Sequence, residues 1–337
     1  MQTIICEQPD VFKMIETDMP SVRPGEALVR IKRIGICGTD LHAFKGNQPF
    51  FSYPRILGHE LSGVVESING ECAHLKAGDA VAFIPYMECG QCIACRHRKT
   101  NCCTDMKVLG VHMDGGMREY ISVPFSHLIQ VEGISLDHAA MIEPLSIGAH
   151  AIRRASIRKG ETVLVIGAGP IGLGVMALAK QEGAKVIAMD VNEERLAFCR
   201  EWAGVDETVN ALEGPRDRLS ELTGGEFPTA VFDATGNARS MTDAFHYAAH
   251  GGKLVYVGLV KADITFNDPE FHKRELTLLG SRNATGVDFE HVIRFLKQGN
   301  VDLDAYITHR APFYGMIDRF ESWLDPQSKV IKALVEL

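Results

Sequence analysis

The stretch TVLVIGAGPIGLGVMALA, residues 162–179, constrains the fold of this chain more than any other. It begins as an apolar run typical of a buried strand, turns through Gly167, Gly169 and Gly172, and continues with helix-forming residues. A second apolar run, KVIAMD, follows and ends in Asp190. A glycine turn of the form G-x-G-x-x-G between a strand and a helix, followed by a strand that ends in an acidic residue, is typical of a βαβ unit that binds a dinucleotide.

Each part of this turn has a physical reason. The first glycine permits the tight turn, the second lets a pyrophosphate approach the backbone, and the third lets the helix and the strand pack closely. The helix N-terminus then faces the phosphates. Asp190 can accept hydrogen bonds from the ribose hydroxyls, and its charge would repel a 2′-phosphate, so NAD is favoured over NADP. The alternative is a glycine-rich turn without a ligand.

Further cofactor contacts are predicted around this turn. Arg195, on the next predicted helix, either reaches the ribose, where it would tolerate a phosphate, or lies on a solvated helix face. The remaining candidates for cofactor contacts are Pro170, Ile171, Thr235, Val257 and Ser281.

The pattern of apolar residues divides the chain into two regions. Up to about residue 125, runs such as ALVRIKRIGI and LSGVVESI predict short strands, which favour a barrel or a sandwich. From about residue 150, near-continuous apolar runs alternate with helical segments, which indicates a parallel βαβ sheet. A chain of 337 residues is also too long for one hydrophobic core. We therefore predict two domains of α/β class.

Composition excludes several classes of function. The 35 basic and 43 acidic residues give a net charge of −8, which argues against non-specific binding to nucleic acid. No signal peptide is evident, and glycines interrupt the long apolar stretches, so we predict no membrane partner and a cytoplasmic location. In that reducing setting, clustered cysteines more often bind a metal than form disulfides.

The segment CGQCIACRHRKTNCC contains such a cluster. Cys89, Cys92, Cys95 and Cys103 have the spacing C-x2-C-x2-C-x7-C, which suits tetrahedral zinc. Four thiolates leave no open position for a substrate, so the predicted zinc is structural. The alternative is a set of reduced thiols without metal. Cys102 adjoins the cluster, and we choose Cys103 as the fourth ligand on spacing.

A second candidate metal set is dispersed along the chain. It consists of Cys37 in GICGTDLH, His59 and Glu60 in GHE, and Glu143 in IEPLS. One cysteine, one histidine and one carboxylate leave a fourth position open, as in catalytic zinc sites. Spacing alone does not bring these residues together, and a lone histidine or glutamate is usually structural or solvated.

The motifs GICGTDLH, GHE, the four-cysteine segment, EPLS and GAGPIG, in this order, resemble the zinc-dependent medium-chain dehydrogenase/reductase superfamily along essentially the whole chain. EPLS, in place of a cysteine ligand, resembles the sorbitol and threonine dehydrogenase branch. YPRILGHE, VLGVHMDGGMREY and LLGSRNAT resemble bacterial sugar-acid dehydrogenases acting on hexonates such as L-galactonate or L-gulonate. The resemblance implies a GroES-like β-rich catalytic domain over residues 1–150, completed by 286–337, and a Rossmann doubly wound parallel sheet domain that binds NAD over 151–285.

The resemblance also implies roles for individual residues. Cys37, His59 and Glu143 would hold the catalytic zinc, with Glu60 as an occasional or outer ligand. Asp40 would hydrogen-bond the ring of His59 and fix its tautomer. The cofactors implied are therefore NAD and two Zn²⁺ per chain, one catalytic and one structural.

Thr39 and His42 match the positions of the family's proton relay, although His42 could equally be a surface histidine. Arg118 and Arg282 are candidates for pairing with a substrate carboxylate, and each could instead form an ordinary salt bridge. Further candidates, for the wall of a substrate pocket or for ordinary core positions, are Phe50, Phe51 and Met113.

The predicted activity is the oxidation of a secondary alcohol of a sugar acid to a ketone by hydride transfer to NAD. A polyol, L-threonine or a sugar is the alternative substrate. One rival class is a catalytically inactive NAD-binding regulatory protein, against which the intact residues Cys37, His59, Glu143 and Asp40 argue. The other is a zinc-independent quinone reductase, which would lack both metal sets. The expected partners are a small-molecule substrate and further copies of the chain in a dimer or tetramer, with KLVYVG as a candidate edge strand.

Overall fold

A computed structural model describes residues 1–48 and 51–337. In chain order its strands are Gln2–Gln8 (β1), Val11–Glu16 (β2), Glu26–Ile36 (β3), Glu60–Asn69 (β4), Ala80–Phe83 (β5), Tyr86–Met87 (β6), Lys107–Val108 (β7), Tyr120–Pro124 (β8), Leu128–Gln130 (β9), Thr162–Ile166 (β10), Lys185–Asp190 (β11), Glu207–Asn210 (β12), Ala230–Asp233 (β13), Lys253–Tyr256 (β14), Thr277–Gly280 (β15), Ile307–Pro312 (β16) and Lys332–Glu336 (β17). The α-helices are Gly38–Phe44 (α1), Ile93–Arg96 (α2), Leu136–Ala140 (α3), Ile142–Ala155 (α4), Pro170–Gln181 (α5), Glu193–Ala203 (α6), Pro215–Leu222 (α7), Ala238–Asp243 (α8), Asp268–Lys273 (α9), Gly286–Lys297 (α10), Leu303–Tyr306 (α11) and Met316–Phe320 (α12).

The chain divides into two compact units. The first consists of Met1–Pro144 together with Thr285–Leu337, and the second is Leu145–Ala284. The division at Pro144 and the predicted domain boundary at residue 150 both fall within α4. The first unit is therefore discontinuous in sequence.

The first unit is built on a mixed sheet with the order β16-β17-β3-β4-β5-β9, in which β8 also pairs with β3. β3 is the long central strand, and its central part alternates between buried and more exposed residues, as expected for a strand with one face on a core. The C-terminal strand β17 lies antiparallel to β3, with Ala333 opposite Ile36. The segment KVIKALVEL, for which the sequence left strand and helix open, thus forms a strand between β16 and β3.

The second unit contains a parallel sheet with the order β12-β11-β10-β13-β14-β15. β10, β11, β13 and β14 are largely buried, in agreement with their continuous apolar sequences. The order reverses between β10 and β13, which is the topological switch point at which sheets of this kind bind ligands.

One expectation about this sheet is wrong. KLVYVG was expected as an edge strand, but β14 pairs with β13 on one side and with β15 on the other. Within the described residues the edge on this side of the sheet is instead β15, Thr277–Gly280, and the other edge is β12. Its sequence TLLG contains fewer β-branched residues than KLVYVG, so composition did not identify it.

Among the residues that the structure describes, no helix is long and apolar enough to cross a membrane.

Candidate active site

The first unit brings Cys37, His59 and Glu60 together although they are far apart in sequence. Cys37 follows the end of β3, and Glu60 begins β4, where it lies opposite Gly35 of β3. One thiol, one imidazole and one carboxylate oxygen from these residues lie within 4.8 Å of one another. The relative exposure of His59 is 5% and that of Glu60 is 0%, so these two side chains are screened from bulk water, whereas Cys37 is half-buried.

Gly35 makes room for this cluster. A Cβ atom at Gly35 would lie 2.3 Å from Oε2 of Glu60, well inside van der Waals contact. Any other residue at this position would displace the Glu60 carboxylate. Gly35 is therefore part of the site, although it supplies no ligand atom.

Asp40 does not make the predicted hydrogen bond to His59. Its Oδ1 is 3.7 Å from Nδ1 of His59, which is too long, and Nδ1 has no hydrogen-bond partner among the described residues. The Asp40 carboxylate instead accepts the backbone N–H groups of Cys37 at 2.9 Å and Gly58 at 3.2 Å. Asp40 therefore fixes the backbone at the candidate ligand Cys37 and at Gly58, which precedes the candidate ligand His59.

Asp40 still acts on His59 through its charge. Burial lowers the pKa of His59, but the charges of Asp40 and Cys37 more than offset this and hold it well above its ordinary value. The ring thus lies in a strongly negative environment. Such an environment also favours a bound cation.

Glu143, in the first turn of α4, is not one of the residues within 4.8 Å of one another. Its Oε1 accepts a hydrogen bond from the hydroxyl of Tyr86. Burial raises the pKa of Glu143 to about 7, and His59 and Glu60 also act on it electrostatically, which places it beside the cluster. Its predicted role as a zinc ligand, with Glu60 as the outer carboxylate, stays a prediction.

Glu60 has a buried cationic partner that the sequence did not reveal. The ammonium of Lys332 lies 2.6 and 2.7 Å from the two oxygens of Glu60 and donates to the carbonyl of Ile36 at 3.2 Å. Lys332 is 2% exposed. Burial lowers its pKa, but the Glu60 charge offsets this and raises it above the ordinary value. A lysine next to the apolar run ALV was the only available sign of this role.

The residues present fit a catalytic zinc ion. A thiol, an imidazole and a carboxylate are the donors of catalytic zinc sites, and three such ligands leave one position open. The unpartnered Nδ1 of His59 is a further sign, because buried ring nitrogens are normally hydrogen-bonded.

The four-cysteine cluster forms a second group in the same unit. The sulfurs of Cys89, Cys92, Cys95 and Cys103 lie within 4.8 Å of one another, while Cys102 is exposed and outside the group. Hydrogen bonds from the backbone of Cys95 and Thr104 lower the pKa of Cys92 to about 5, which favours the thiolate. This donor set fits a closed, tetrahedral zinc site.

The glycine turn lies in the second unit, between β10 and α5. Gly167 has a φ of +99°, which favours glycine. A Cβ at Gly172 would lie 1.8 Å from the carbonyl oxygen of Gly167, so only glycine fits there. A Cβ at Gly169 would meet only Arg195, at 3.8 Å, which leaves this backbone open to a ligand. The arrangement fits a pyrophosphate at the N-terminus of α5, where Pro170 and Ile171 form the first turn.

Asp190 ends β11 beside this turn. Its carboxylate accepts the N–H of Ala168 at 2.6 Å and that of Asn192 at 2.9 Å. Arg195, in the first turn of α6, extends its guanidinium toward Gly169. Of the two alternatives for Arg195, this favours a position at the turn over a remote solvated face.

The other predicted cofactor residues share one edge of the parallel sheet. Thr235, Val257 and Ser281 follow the carboxyl ends of β13, β14 and β15, where ligands of such sheets bind. The hydroxyl of Ser281 is buried and has no hydrogen-bond partner among the described residues. The sheet thus places Thr235, Val257 and Ser281 along one edge. Cofactor binding by each of these residues stays a prediction.

The predicted relay residues lie on one face of a helix. Thr39 and His42 are three residues apart on α1; Thr39 is half-buried and His42 is exposed. Of the candidate pocket residues, Phe50 lies outside the described residues, Phe51 packs against Tyr53, and Met113 is 36% exposed.

Two family comparisons cover much of the chain. Residues 23–133 match the family described as alcohol dehydrogenase GroES-like domain. Residues 170–298 match the family described as zinc-binding dehydrogenase. The first match contains Cys37, His59 and the four-cysteine segment, and the second contains most of the parallel sheet.

Individual relatives match almost the full length. L-galactonate-5-dehydrogenase of Escherichia coli K12 is 44% identical, over 99% of this chain and 98% of the relative. L-idonate 5-dehydrogenase of Vitis vinifera is 34% identical, over 88% of this chain and 83% of the relative. Among solved structures, an alcohol dehydrogenase (rspB) of E. coli CFT073 complexed with NADH aligns with a TM-score of 0.94 at 32% identity, covering 100% of this chain and 99% of that one.

Proposed function

Because the chain belongs to the zinc-dependent medium-chain dehydrogenase/reductase superfamily, we propose that this alcohol dehydrogenase oxidises a secondary hydroxyl of a sugar acid of the L-galactonate or L-gulonate type to a ketone. The observation that carries the proposal is the buried cluster of Cys37, His59 and Glu60, with Glu143 beside it. Cys37, His59 and Glu143 would hold a Zn²⁺ ion that lowers the pKa of the substrate hydroxyl as a Lewis acid, and NAD would accept the hydride.

Other residues of the first unit would support the metal ligands and carry the proton away. Glu60, fixed by Lys332, lies next to Cys37 and His59 as the outer carboxylate. Thr39 would accept the proton of the substrate hydroxyl as it gives up its own, and His42, which is exposed, would release a proton to solvent. Histidine suits this step because it exchanges protons readily near neutral pH.

In the second unit, the turn formed by Gly167, Gly169 and Gly172 would hold the pyrophosphate of the cofactor. Asp190 would accept hydrogen bonds from the ribose hydroxyls and repel a 2′-phosphate, which supports NAD over NADP. The four-cysteine cluster would hold the second zinc ion, which has no position for a substrate. We further propose that the protein is cytoplasmic, in keeping with cysteines that form no disulfide bonds among the described residues. We also propose that it forms a dimer or tetramer.

Arg118 supports an acidic substrate. Its Nε is buried without a hydrogen-bond partner among the described residues. Burial lowers the pKa of the Arg118 guanidinium, and the charge of Asp114 partly offsets this. It follows Gly115–Met117, whose N–H groups donate to the carbonyls of Ile56–Gly58, the segment that leads into His59. Arg282 is exposed and has other contacts. A half-buried guanidinium with an unpartnered Nε gains from a carboxylate, so Arg118 is the candidate for binding that of the sugar acid.

The test is NADH formation with hexonates, the corresponding polyols, aldoses and L-threonine, compared by kcat/KM. A hexonate should rank first. The Arg118→Gln variant should lose about 10- to 100-fold on the hexonate, and little on the polyol, because a hydrogen bond to a charged group is removed. Arg282→Gln is the matched control and should change neither value. Activity with L-threonine alone would exclude a sugar-acid substrate.

A further inference from the structure

The structure assigns a positioning role to Tyr86: we propose that its hydroxyl fixes the Glu143 carboxylate for metal binding and links this carboxylate to the four-cysteine segment. The inference rests on the proposed function, in which Glu143 is a zinc ligand. The contact that carries it is the hydrogen bond from the Tyr86 hydroxyl to Oε1 of Glu143.

This contact is fully enclosed. Tyr86 is 4% exposed and Glu143 is 5% exposed, so water does not compete for the hydrogen bond. The Tyr86 ring also packs edge to face on Phe289, with the ring centroids 6.3 Å apart. The Tyr86 side chain is therefore held in place by packing, as required of a group that sets the orientation of another.

The chemistry of the donor distinguishes Glu143 from Glu60. A phenol has one proton, so Tyr86 engages one oxygen of Glu143 and adds no positive charge. Lys332 engages both oxygens of Glu60 and carries a positive charge. Of the two carboxylates, Glu143 thus keeps more capacity to bind a cation, and Tyr86 fixes its orientation. Partners of this kind typically change metal affinity or activity by about 10- to 100-fold.

Tyr86 also belongs to the base of the four-cysteine segment. β6 pairs with β7, with Tyr86 opposite Val108, and all four cysteines lie between these two strands. His127 reinforces this base, since its Nε2 lies 3.2 Å from the carbonyl oxygen of Tyr86 and 3.1 Å from Glu88. A structural change in the four-cysteine segment would therefore be transmitted to the Glu143 carboxylate through the Tyr86 side chain.

The experiment measures the release of zinc to a coloured chelator from the purified, zinc-loaded protein. Cys37→Ser first identifies which phase of release belongs to the proposed catalytic site. Tyr86→Phe should then accelerate that phase about 10- to 100-fold and leave the phase of the four-cysteine site unchanged. In Co²⁺-substituted protein the same variant should shift the visible absorption of the catalytic-site ion, a signature that a general loss of stability does not produce.

Tyr256→Phe is the matched control. It removes a phenol hydroxyl that donates to the backbone carbonyl of Met241 in the other unit, and it should change neither release phase. An unchanged catalytic phase and cobalt spectrum in Tyr86→Phe, with two phases in the wild type, would overturn the role of Tyr86 and leave the proposed function intact. A wild-type protein that releases zinc only from the four-cysteine site would instead overturn the proposed function.

Discussion

Gly169 and Gly172 of the nucleotide turn are glycines for different reasons. Gly172 is packed against the protein itself, since a Cβ there would overlap the carbonyl oxygen of Gly167. Gly169 faces open space, and its Cβ would meet only the tip of Arg195. Gly172 is therefore required by the fold, whereas Gly169 is required only by a ligand that approaches the backbone.

Alanine substitutions should separate these two requirements. Gly172→Ala should destabilise the protein by about 1 to 3 kcal/mol, because the overlap forces the backbone to move, and should also weaken NADH binding. Gly169→Ala should keep wild-type stability and weaken NADH binding by more than about tenfold, since the methyl group occupies the place of the pyrophosphate. Chemical denaturation and titration of NADH fluorescence measure both effects. Wild-type stability in Gly172→Ala would contradict the packing argument.

Among the elements, the short helix α3 connects distant parts of the first unit. Asp137 of α3 binds Arg33 of β3 at 2.5 Å and Arg310 of β16 at 2.5 Å. Burial alone would raise the pKa of Asp137, but the hydrogen bonds from Arg310 and Arg33 lower it below its ordinary value. One carboxylate thus ties the strand that leads to Cys37 to the segment that completes the unit after residue 285.

Asp137→Asn should lower the free energy of unfolding at neutral pH by about 1 to 2 kcal/mol, allowing for solvent screening of these partly exposed pairs. Because the pKa of Asp137 is lower in the folded state, its contribution is full above the unfolded pKa of about 3.9 and is lost as the pH falls through the folded value. The difference between wild type and variant should therefore be constant from about pH 5 to 8 and shrink below about pH 4.

Urea unfolding at several pH values measures this dependence. Asp304→Asn is the control. Asp304 is 74% exposed, and water screens its contacts with His138 at 3.2 Å and Arg310 at 4.0 Å, so its replacement should change stability by less than about 0.5 kcal/mol. A difference that grows toward low pH would have the wrong sign for a carboxylate stabilised in the folded state.

Elements were predictable where the signal is local. Strand patterns predicted β3, β4, β10, β11, β13 and β14, and the spacing of four cysteines predicted a cluster that closes within one loop. Glu60 and Lys332 were not predictable as a pair, because their contact depends on how β17 and β4 align with β3, a register set by the whole sheet. Tyr86 was missed for a similar reason, since its partner Glu143 lies on a helix far along the chain.

The resemblance of motifs supplied candidate ligand residues but not their contacts. Asp40 was expected to bond His59 and instead binds two backbone N–H groups, because it sits in the first turn of α1 and satisfies the start of that helix. KLVYVG was expected at a sheet edge and lies inside the sheet, because β15 follows it. In both cases the residue type was informative and the geometry was not encoded locally.

At the scale of the whole molecule, the candidate metal centres and the nucleotide turn belong to different units. Cys37, His59 and the four-cysteine cluster lie in the first unit, and the turn beginning at Gly167 lies in the second. Each unit has its own hydrophobic core. Loss of the proposed structural zinc should therefore affect one unit and spare the function of the other.

Cys92→Ser should reduce the zinc content from about two ions per chain to about one and lower the thermal stability of the first unit, because metal binding contributes to folding. The affinity for NADH should stay at the wild-type value. Metal analysis, thermal unfolding and NADH titration measure the three quantities. Cys102→Ser, in the same loop but outside the cluster, should behave as wild type. A loss of NADH affinity in Cys92→Ser would show that the two units are not independent.

The late position of Lys332 in the chain has a consequence during synthesis on the ribosome. Glu60 is made early, but its only described cationic partner follows the entire inserted unit. Until Lys332 emerges, the nascent chain must either keep this carboxylate hydrated or bury an uncompensated charge, which is strongly unfavourable. The centre around Glu60 therefore cannot reach its final packing until β17, which carries Lys332, has been made and has paired with β3.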